Sequence, residues 1–523
     1  MKKIAKILSA VLAIAMVISF AGCSNTTKTD ADPNSVTWWL ANNVPEFYKN
    51  YDELPAFQEI QKNLGIDIVF THPSAEGAHE QFNIMTASGK FNDIVSYNWN
   101  AYAGGPTRAA KDGAIMVLND YIEDKMPNFY NYMKDDPELD YAAHGYDGSI
   151  SVIPAFAESV KPKACYGPTI RKDWLDKLGL EVPETINDWY NVLTAFKTQD
   201  PNGNGEADEI PFVSDAAATF TRFSAAFGGS TAHYYVDTNG VVKYGLIQPE
   251  YRDFLVEMNK WYNEGLIDNE YAAVNSSLVT TYMSSGKGGA FIGYSGSGMT
   301  SYILAGRETN PEFTLVGTPW PTHNGGKSWT GYEHQSYRAV PGNGLAVFAK
   351  TTKLDAALKV IDYLYSEDGS DLLNWGIEGV TYTKAEDGTK TFTDMILNNP
   401  DGKTPVEAIS EYTLTQYGIA HTQTDSYVQA NTTIPEQKAA IDTWAAADIT
   451  NIFPEQLVLS PEDQDVITKV LDDVLTYRVE WVNKFIMGTE PIEKWDQVCE
   501  DIRKLGIDKV TEIYQRAYND YIQ

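Results

Sequence analysis

A strand, a helix and a second strand follow one another at the start of the folded chain, and that order narrows the fold more than any later feature. Val36-Thr37-Trp38-Trp39-Leu40 reads as a buried strand, apolar on both faces. A helical pattern covers Leu54 to Leu64, and Gly65 stands where a C-cap belongs. Ile66-Asp67-Ile68-Val69-Phe70 is the next strand. Such a unit builds a parallel sheet through a right-handed crossover. Ile94-Val95-Ser96-Tyr97 supplies a third strand, opening onto Asn98-Trp99-Asn100-Ala101-Tyr102. In open α/β sheets ligands bind beyond the carboxyl ends of the strands, where Asn42, Asn43, Tyr97, Trp99 and Asn100 would fall.

Ahead of this unit, Lys2, Lys3 and Lys6 precede an apolar run from Ile7 to Phe20 and the small residues Ala21-Gly22. That is the make-up of a secretory signal peptide over residues 1–22, with an apolar run too short for a comfortable membrane span. The cysteine at the cut site, Cys23, resembles the lipid acceptor of a bacterial lipobox. The polar stretch after it, to about residue 35, reads as a flexible tether. The expected location is the extracellular face of the cell membrane, held there by a diacylated cysteine.

The chain has 523 residues, enough for two or three domains rather than one core. Forty basic against 71 acidic residues give a net charge of -31, a field that repels nucleic acid and favours a neutral ligand over a strongly anionic one. Cys165 and Cys499 have no CxxC or Cys/His neighbour. Unpaired, buried thiols are the expectation, although an exported chain permits one disulfide. Twelve Trp, 32 Tyr and 20 Phe are a surplus, and those falling in Gly/Asn/Ser-rich loops are hard to explain by packing alone.

Farther along, Thr185 caps a helix with Asp188 three residues on, and Trp189, Val192, Leu193 and Phe196 recur on one face. Amphipathic helices are expected over Tyr251–Glu264, from Ser460-Pro461 to near Gly488, and over Pro491–Lys504. The most specific motif is Asp200-Pro201-Asn202-Gly203-Asn204-Gly205-Glu206-Ala207-Asp208-Glu209. Asp200, Asn202, Asn204 and Asp208 stand at loop positions 1, 3, 5 and 9, and Glu206 offers its carbonyl at position 7, with Gly205 at the sharp turn. Hard oxygens at that spacing suit Ca²⁺ in a structural role. Position 12 is Pro211 where an EF-hand has a bidentate Glu, so Glu209 is expected to close the site. The alternative is an Asx-rich turn without metal.

Arg171-Lys172-Asp173-Trp174-Leu175, Leu178-Gly179-Leu180, Pro183-Glu184-Thr185 and the loop ending Asp208-Glu209-Ile210-Pro211 together resemble the extracellular solute-binding proteins of family 1. Later pieces continue the match in order: Glu264-Gly265-Leu266-Ile267-Asp268, Asn374-Trp375-Gly376-Ile377-Glu378-Gly379 and Lys484-Phe485-Ile486-Met487-Gly488. The resemblance implies an α/β, two-lobed periplasmic-binding-protein-like fold of type II, each lobe a mixed sheet flanked by helices and joined by a hinge. Lobe 1 would comprise residues 36–157 and 333–388, and lobe 2 residues 158–332 and 389–523. It also implies a monomer that captures an oligosaccharide between its lobes and passes it to an ABC permease. The same alignment points to Tyr294 as a sugar-stacking ring. The crossing segment adds Trp329, Tyr332, Glu333 and His334 as ligand contacts.

A secreted glycan hydrolase is the rival class, and a peptide or other polar solute the rival ligand. HExxH, a P-loop and a dinucleotide fingerprint are all absent, and Gly293-Tyr294-Ser295-Gly296-Ser297 misses G-x-S-x-G at its last position. Paired carboxylates occur by chance among so many acids, so binder is preferred to enzyme.

Overall fold

The computed structural model describes residues 32–42, 47–74, 77–159, 164–229, 231–332, 338–414, 419–430, 432–454 and 457–522. Cys23, the signal segment, Asn43, Glu333 and His334 lie outside the described residues.

Strands β1 (Ser35–Trp39), β2 (Asp67–Thr71), β3 (Ile94–Asn98), β4 (Ile153–Ala157), β11 (Ala339–Val347) and β14 (Thr422–Gln423) form one sheet in the order β14-β4-β11-β3-β1-β2. β1 pairs in parallel with both β2 and β3, as the strand–helix–strand reading requires. The helix between them runs Pro55–Leu64 and ends at Gly65, whose φ of 62° is left-handed and open to glycine without strain. Trp38 and Trp39 point to opposite faces of β1, and both are buried because helices cover both faces. β11 enters antiparallel between β3 and β4.

The second sheet has four strands in the order β10-β5-β9-β6: β5 is Tyr166–Arg171, β6 Ile210–Phe212, β9 Gly288–Tyr294 and β10 Leu315–Gly317. Two hairpins complete the strands, β7 (Tyr234–Val236) with β8 (Val242–Tyr244) and β12 (Tyr382–Lys384) with β13 (Lys390–Phe392). Thr185 makes the full capping box with Asp188, and Trp189, Val192, Leu193 and Phe196 bury against the second sheet. Ser460 caps the longest helix, Pro461–Ile486. The expected helix Pro491–Lys504 is instead a 3₁₀ turn, Ile492–Lys494, followed by Trp495–Leu505. Among the described residues no helix is long and apolar enough to cross a membrane.

One boundary differs from the sequence reading. The stretch from about 389 to 423 packs on the first sheet, not the second. Phe392, Ile396, Ala408 and Ile409 cluster with Trp375, while Leu414, Ile419 and Ala420 enter the first lobe's core. β14 then pairs with β4. The chain reaches the second lobe only at the helix Pro435–Ala445, where Trp444 lies flat over β5. A Cβ on Gly167 would stand 2.4 Å from its indole. A two-residue strand carries no readable period, so nothing in the pattern marks where the chain turns back.

Arg338 ties the crossings together. Its guanidinium meets Asp136 at 2.5 Å and Glu138 at 2.9 Å and donates to the Glu158 carbonyl, while the Glu158 carboxylate accepts the Asp425 N–H. Residues 158, 338 and 425 lie beside the strands β4, β11 and β14 at the edge of the first sheet, and these hydrogen bonds link the three segments there.

Candidate ligand cleft and calcium loop

A cavity of about 750 Å³ opens on the second lobe, beyond the carboxyl ends of β6 and β9. Asp215 follows β6 and Tyr294 ends β9, and both line it. Tyr294 is 48% exposed, unusual for a large ring. It packs edge-on against Tyr166 at 4.8 Å and Tyr332 at 6.4 Å, and Tyr166 and Tyr332 stack on each other at 4.8 Å. Arg222 lies over both of those rings and donates to the Gly331 carbonyl at 2.7 Å. Burial raises the Tyr332 phenol well above its ordinary value, helped by its hydrogen bond with Tyr294, and raises Tyr166 against the pull of Arg222. Tyr166 and Tyr332 therefore stay neutral, as hydrogen-bonding groups rather than charges.

A second cavity of about 270 Å³ shares Thr231, His233 and Gly331 with the first and is closed on its far side by Asn100 and Pro341 of the other lobe. The Asn100 side chain donates to the Pro341 carbonyl at 2.9 Å. The chain passes tightly there, since a Cβ on Gly342 would stand 2.6 Å from Asn100 Oδ1. The two cavities together form a cleft with walls from both lobes.

Of the residues expected at the ligand, the fold brings Tyr294 and Tyr332 together on the first cavity and sets Asn100 on the second. It does not do the same for the others. Trp99, expected as a platform, is instead wholly buried, edge-on to Phe82 at 5.2 Å, and offers no ring face to a ligand. Tyr97 is half-buried and stacked on Phe82 at 4.4 Å. Asn42 is buried and spends its amide on the Tyr48 carbonyl at 2.7 Å. Trp329 packs beneath Lys327, whose ammonium sits 4.8 Å from the ring centroid. Tyr166, Asp215, Arg222, Tyr251 and Arg478 line the cavity without having been anticipated. Tyr166 stood beside Cys165 in a tract that reads as plain strand, and the others are scattered across more than 250 positions.

The loop Asp200–Glu209 folds as an Asx-rich turn. Asp200 Oδ1 accepts the N–H groups of Gly203 and Asn204, and Oδ2 that of Gly205. The amides of Asn202 and Asn204 both reach Asp208 at 3.0 Å. Lys287 pairs with Asp208 at 2.8 Å and, with those amides, holds its carboxyl down at about 2. Among the described residues no three His, Cys, Asp or Glu side chains converge as a ready metal cluster, because Asn202 and Asn204 are amides. Glu209 is the telling residue: both its carboxylate oxygens are buried without a hydrogen-bond partner. A buried carboxylate left bare costs several kcal/mol, and a cation is the partner that removes the cost. The donor set therefore fits a hard divalent ion. The loop leads into the amino end of β6, and Lys287 directly precedes β9, so the loop fixes the far ends of the two strands that carry the cavity.

Two mixed sheets, each wrapped in helices and facing across a cleft at their strand ends, define a two-lobed solute-binding protein. The model of the bacterial extracellular solute-binding protein family matches residues 47–371, and the chain belongs to that family. It is 26% identical to the fructooligosaccharide ABC transporter substrate-binding protein FusA of Streptococcus pneumoniae serotype 4, over 98% of each chain. It is 25% identical to lipoprotein LipO of Bacillus subtilis, over 95% of each. The crystal structure of the alginate-binding protein AlgQ2 without calcium ion superposes with a TM-score of 0.76 and 25% identity, covering 95% of this chain and all of that one (100%). FusA and AlgQ2 are named as binding proteins, not enzymes. Among the described residues Cys165 and Cys499 are not joined in a disulfide; Cys499 is buried, which pushes its thiol up to about 12, and Cys165 is half-buried.

Proposed function

We propose that this protein captures an oligosaccharide in the interlobe cleft and delivers it to an ABC import permease. The observation that carries the reading is Tyr294, a half-exposed ring in an aromatic cluster on a cavity of mixed polar and apolar lining beyond the strand ends. A sugar ring has an apolar face and a rim of hydroxyls, so it needs a flat platform beside donors and acceptors. The naming of relatives for a fructooligosaccharide and for alginate supports a sugar without choosing one. An importer must release its cargo, so affinity near micromolar, about -8 kcal/mol, is expected.

Calorimetry of the mature protein across a panel of neutral and acidic oligosaccharides tests this. At least one glycan should bind, and Tyr294→Ala should weaken it about tenfold, roughly 1.4 kcal/mol, without unfolding the chain. Tight binding of a peptide with no glycan bound would sink the reading.

Calcium in the Asp200–Glu209 loop is part of the same proposal, held by Asp200, Asn202, Asn204, Asp208, Glu209 and the Glu206 carbonyl, with a structural role. So is lipidation of Cys23, which keeps the protein beside its permease; the relative LipO is named a lipoprotein. Cys23→Ala should leave the protein unprocessed or shed into the medium. Unchanged, processed protein on the membrane would count against the anchor.

A further inference from the structure

One corner of the first cavity is rich in hydrogen-bond donors and, among the described residues, holds no carboxylate. Arg478, on the helix Pro461–Ile486, reaches the Ala232 carbonyl at 3.3 Å, the His233 ring at 3.2 Å and the Tyr244 hydroxyl, and among the described residues it has no carboxylate partner. Arg108, Arg171, Arg307, Arg338 and Arg516 each pair with a carboxylate. Tyr251 borders the same cavity with no exposed surface, and its buried hydroxyl has no hydrogen-bond partner. The hydroxyl lies within the field of Arg478. Asn483 gives its Oδ1 to the Tyr271 hydroxyl at 2.7 Å, so what it has left for the cavity is its N–H₂. The cavity's one described carboxylate, Asp215, acts on Tyr166, at the other end beside Arg222.

A guanidinium with no carboxylate partner, a phenol with no partner and an amide whose oxygen is already spent favour an acceptor-only group. A sugar hydroxyl both donates and accepts, and would use the set poorly; a carboxylate accepts several hydrogen bonds and fits the arginine fork. We infer that the Arg478–Tyr251–Asn483 corner receives a sugar carboxylate, so that the captured oligosaccharide contains uronic acid. The inference rests on the oligosaccharide reading above and names its charge. It reverses the expectation of a neutral ligand drawn from the net charge of -31. Charges more than about 8 Å apart are screened at physiological ionic strength, so the acidic outer surface does not set the field in this corner.

The test is calorimetry with an oligogalacturonate and its methyl ester, which masks the carboxylate and keeps the rings. The acid should bind at least tenfold tighter than the ester, and Arg478→Gln should erase that difference. Tyr251→Phe should weaken binding of the acid, yet leave the melting temperature of the free protein unchanged or higher, because the hydroxyl it removes has no partner there. Equal affinity for acid and ester, or a neutral oligosaccharide bound tightly and indifferently to Arg478→Gln, would overturn the inference and leave the oligosaccharide reading standing. Preference for a sulfated glycan over any uronate would overturn the carboxylate. No glycan bound at all would overturn both.

Discussion

Glu209 keeps both carboxylate oxygens out of water with no protein donor to meet them. In the free protein that arrangement is unfavourable, so the residue makes opposite predictions for two states. With calcium present, wild type should melt higher than with chelator, since a ligand at 100 times its dissociation constant adds about 2.7 kcal/mol. Glu209→Gln should lose that gain, and in chelator should be at least as stable as wild type, because a bare buried charge has gone. Melting curves of wild type that do not move with chelator would contradict the calcium proposal. The turn from Asp200 to Glu209 was legible because its Asx hydrogen bonds are local and one short loop holds them all. The cleft was legible only in part. Tyr294 ends β9 with half its ring exposed, while Trp99, in an equally polar loop, turns inward onto Phe82. Sequence distinguishes neither ring's direction, which tertiary packing decides. Tyr251 and Arg478 are 227 positions apart in the chain and meet only in the fold.

Elements with their own period and caps were readable: β1 to β3, the Thr185 box and the Ser460 cap all depend on neighbours in sequence. β14 does not, and it carries a titrating group. His421 precedes it, gives its carbonyl to the Phe156 N–H at 3.1 Å, and bonds the Ile419 carbonyl through Nδ1 at 2.7 Å. Its Nε2 is buried without a partner. Burial pushes the imidazole down to about 4. Between that value and its ordinary 6.5 the unfolded chain binds the proton and the folded one does not, so stability falls as pH drops through this window. The whole loss is about 3 kcal/mol. Urea midpoints at pH 7 and pH 4.5 should therefore converge in His421→Gln relative to wild type. Equal acid sensitivity in the two proteins would show that His421 does not titrate with folding. Asp208, held at about 2 by Lys287, contributes only below its ordinary 3.8 and does not confuse the reading.

At the scale of the whole molecule, the hinge is three crossing segments linked by the Arg338 network, and the lobes meet at its far side, where the Val458 N–H donates to the Tyr141 hydroxyl at 2.9 Å. Asn100 on one wall and Tyr294 on the other face the same cleft, so a ligand that touches both binds the closed arrangement better than the open one. Only that difference in affinity can shift the hinge. The two-lobed plan was readable from the order of the motifs, whereas the return at β14 was not, because a hinge strand is short and needs no amphipathic period. Small-angle X-ray scattering of the mature protein, with and without a saturating oligosaccharide identified by calorimetry, tests the trap directly. The radius of gyration should fall when the sugar is bound. An unchanged radius at full occupancy would contradict capture between the lobes.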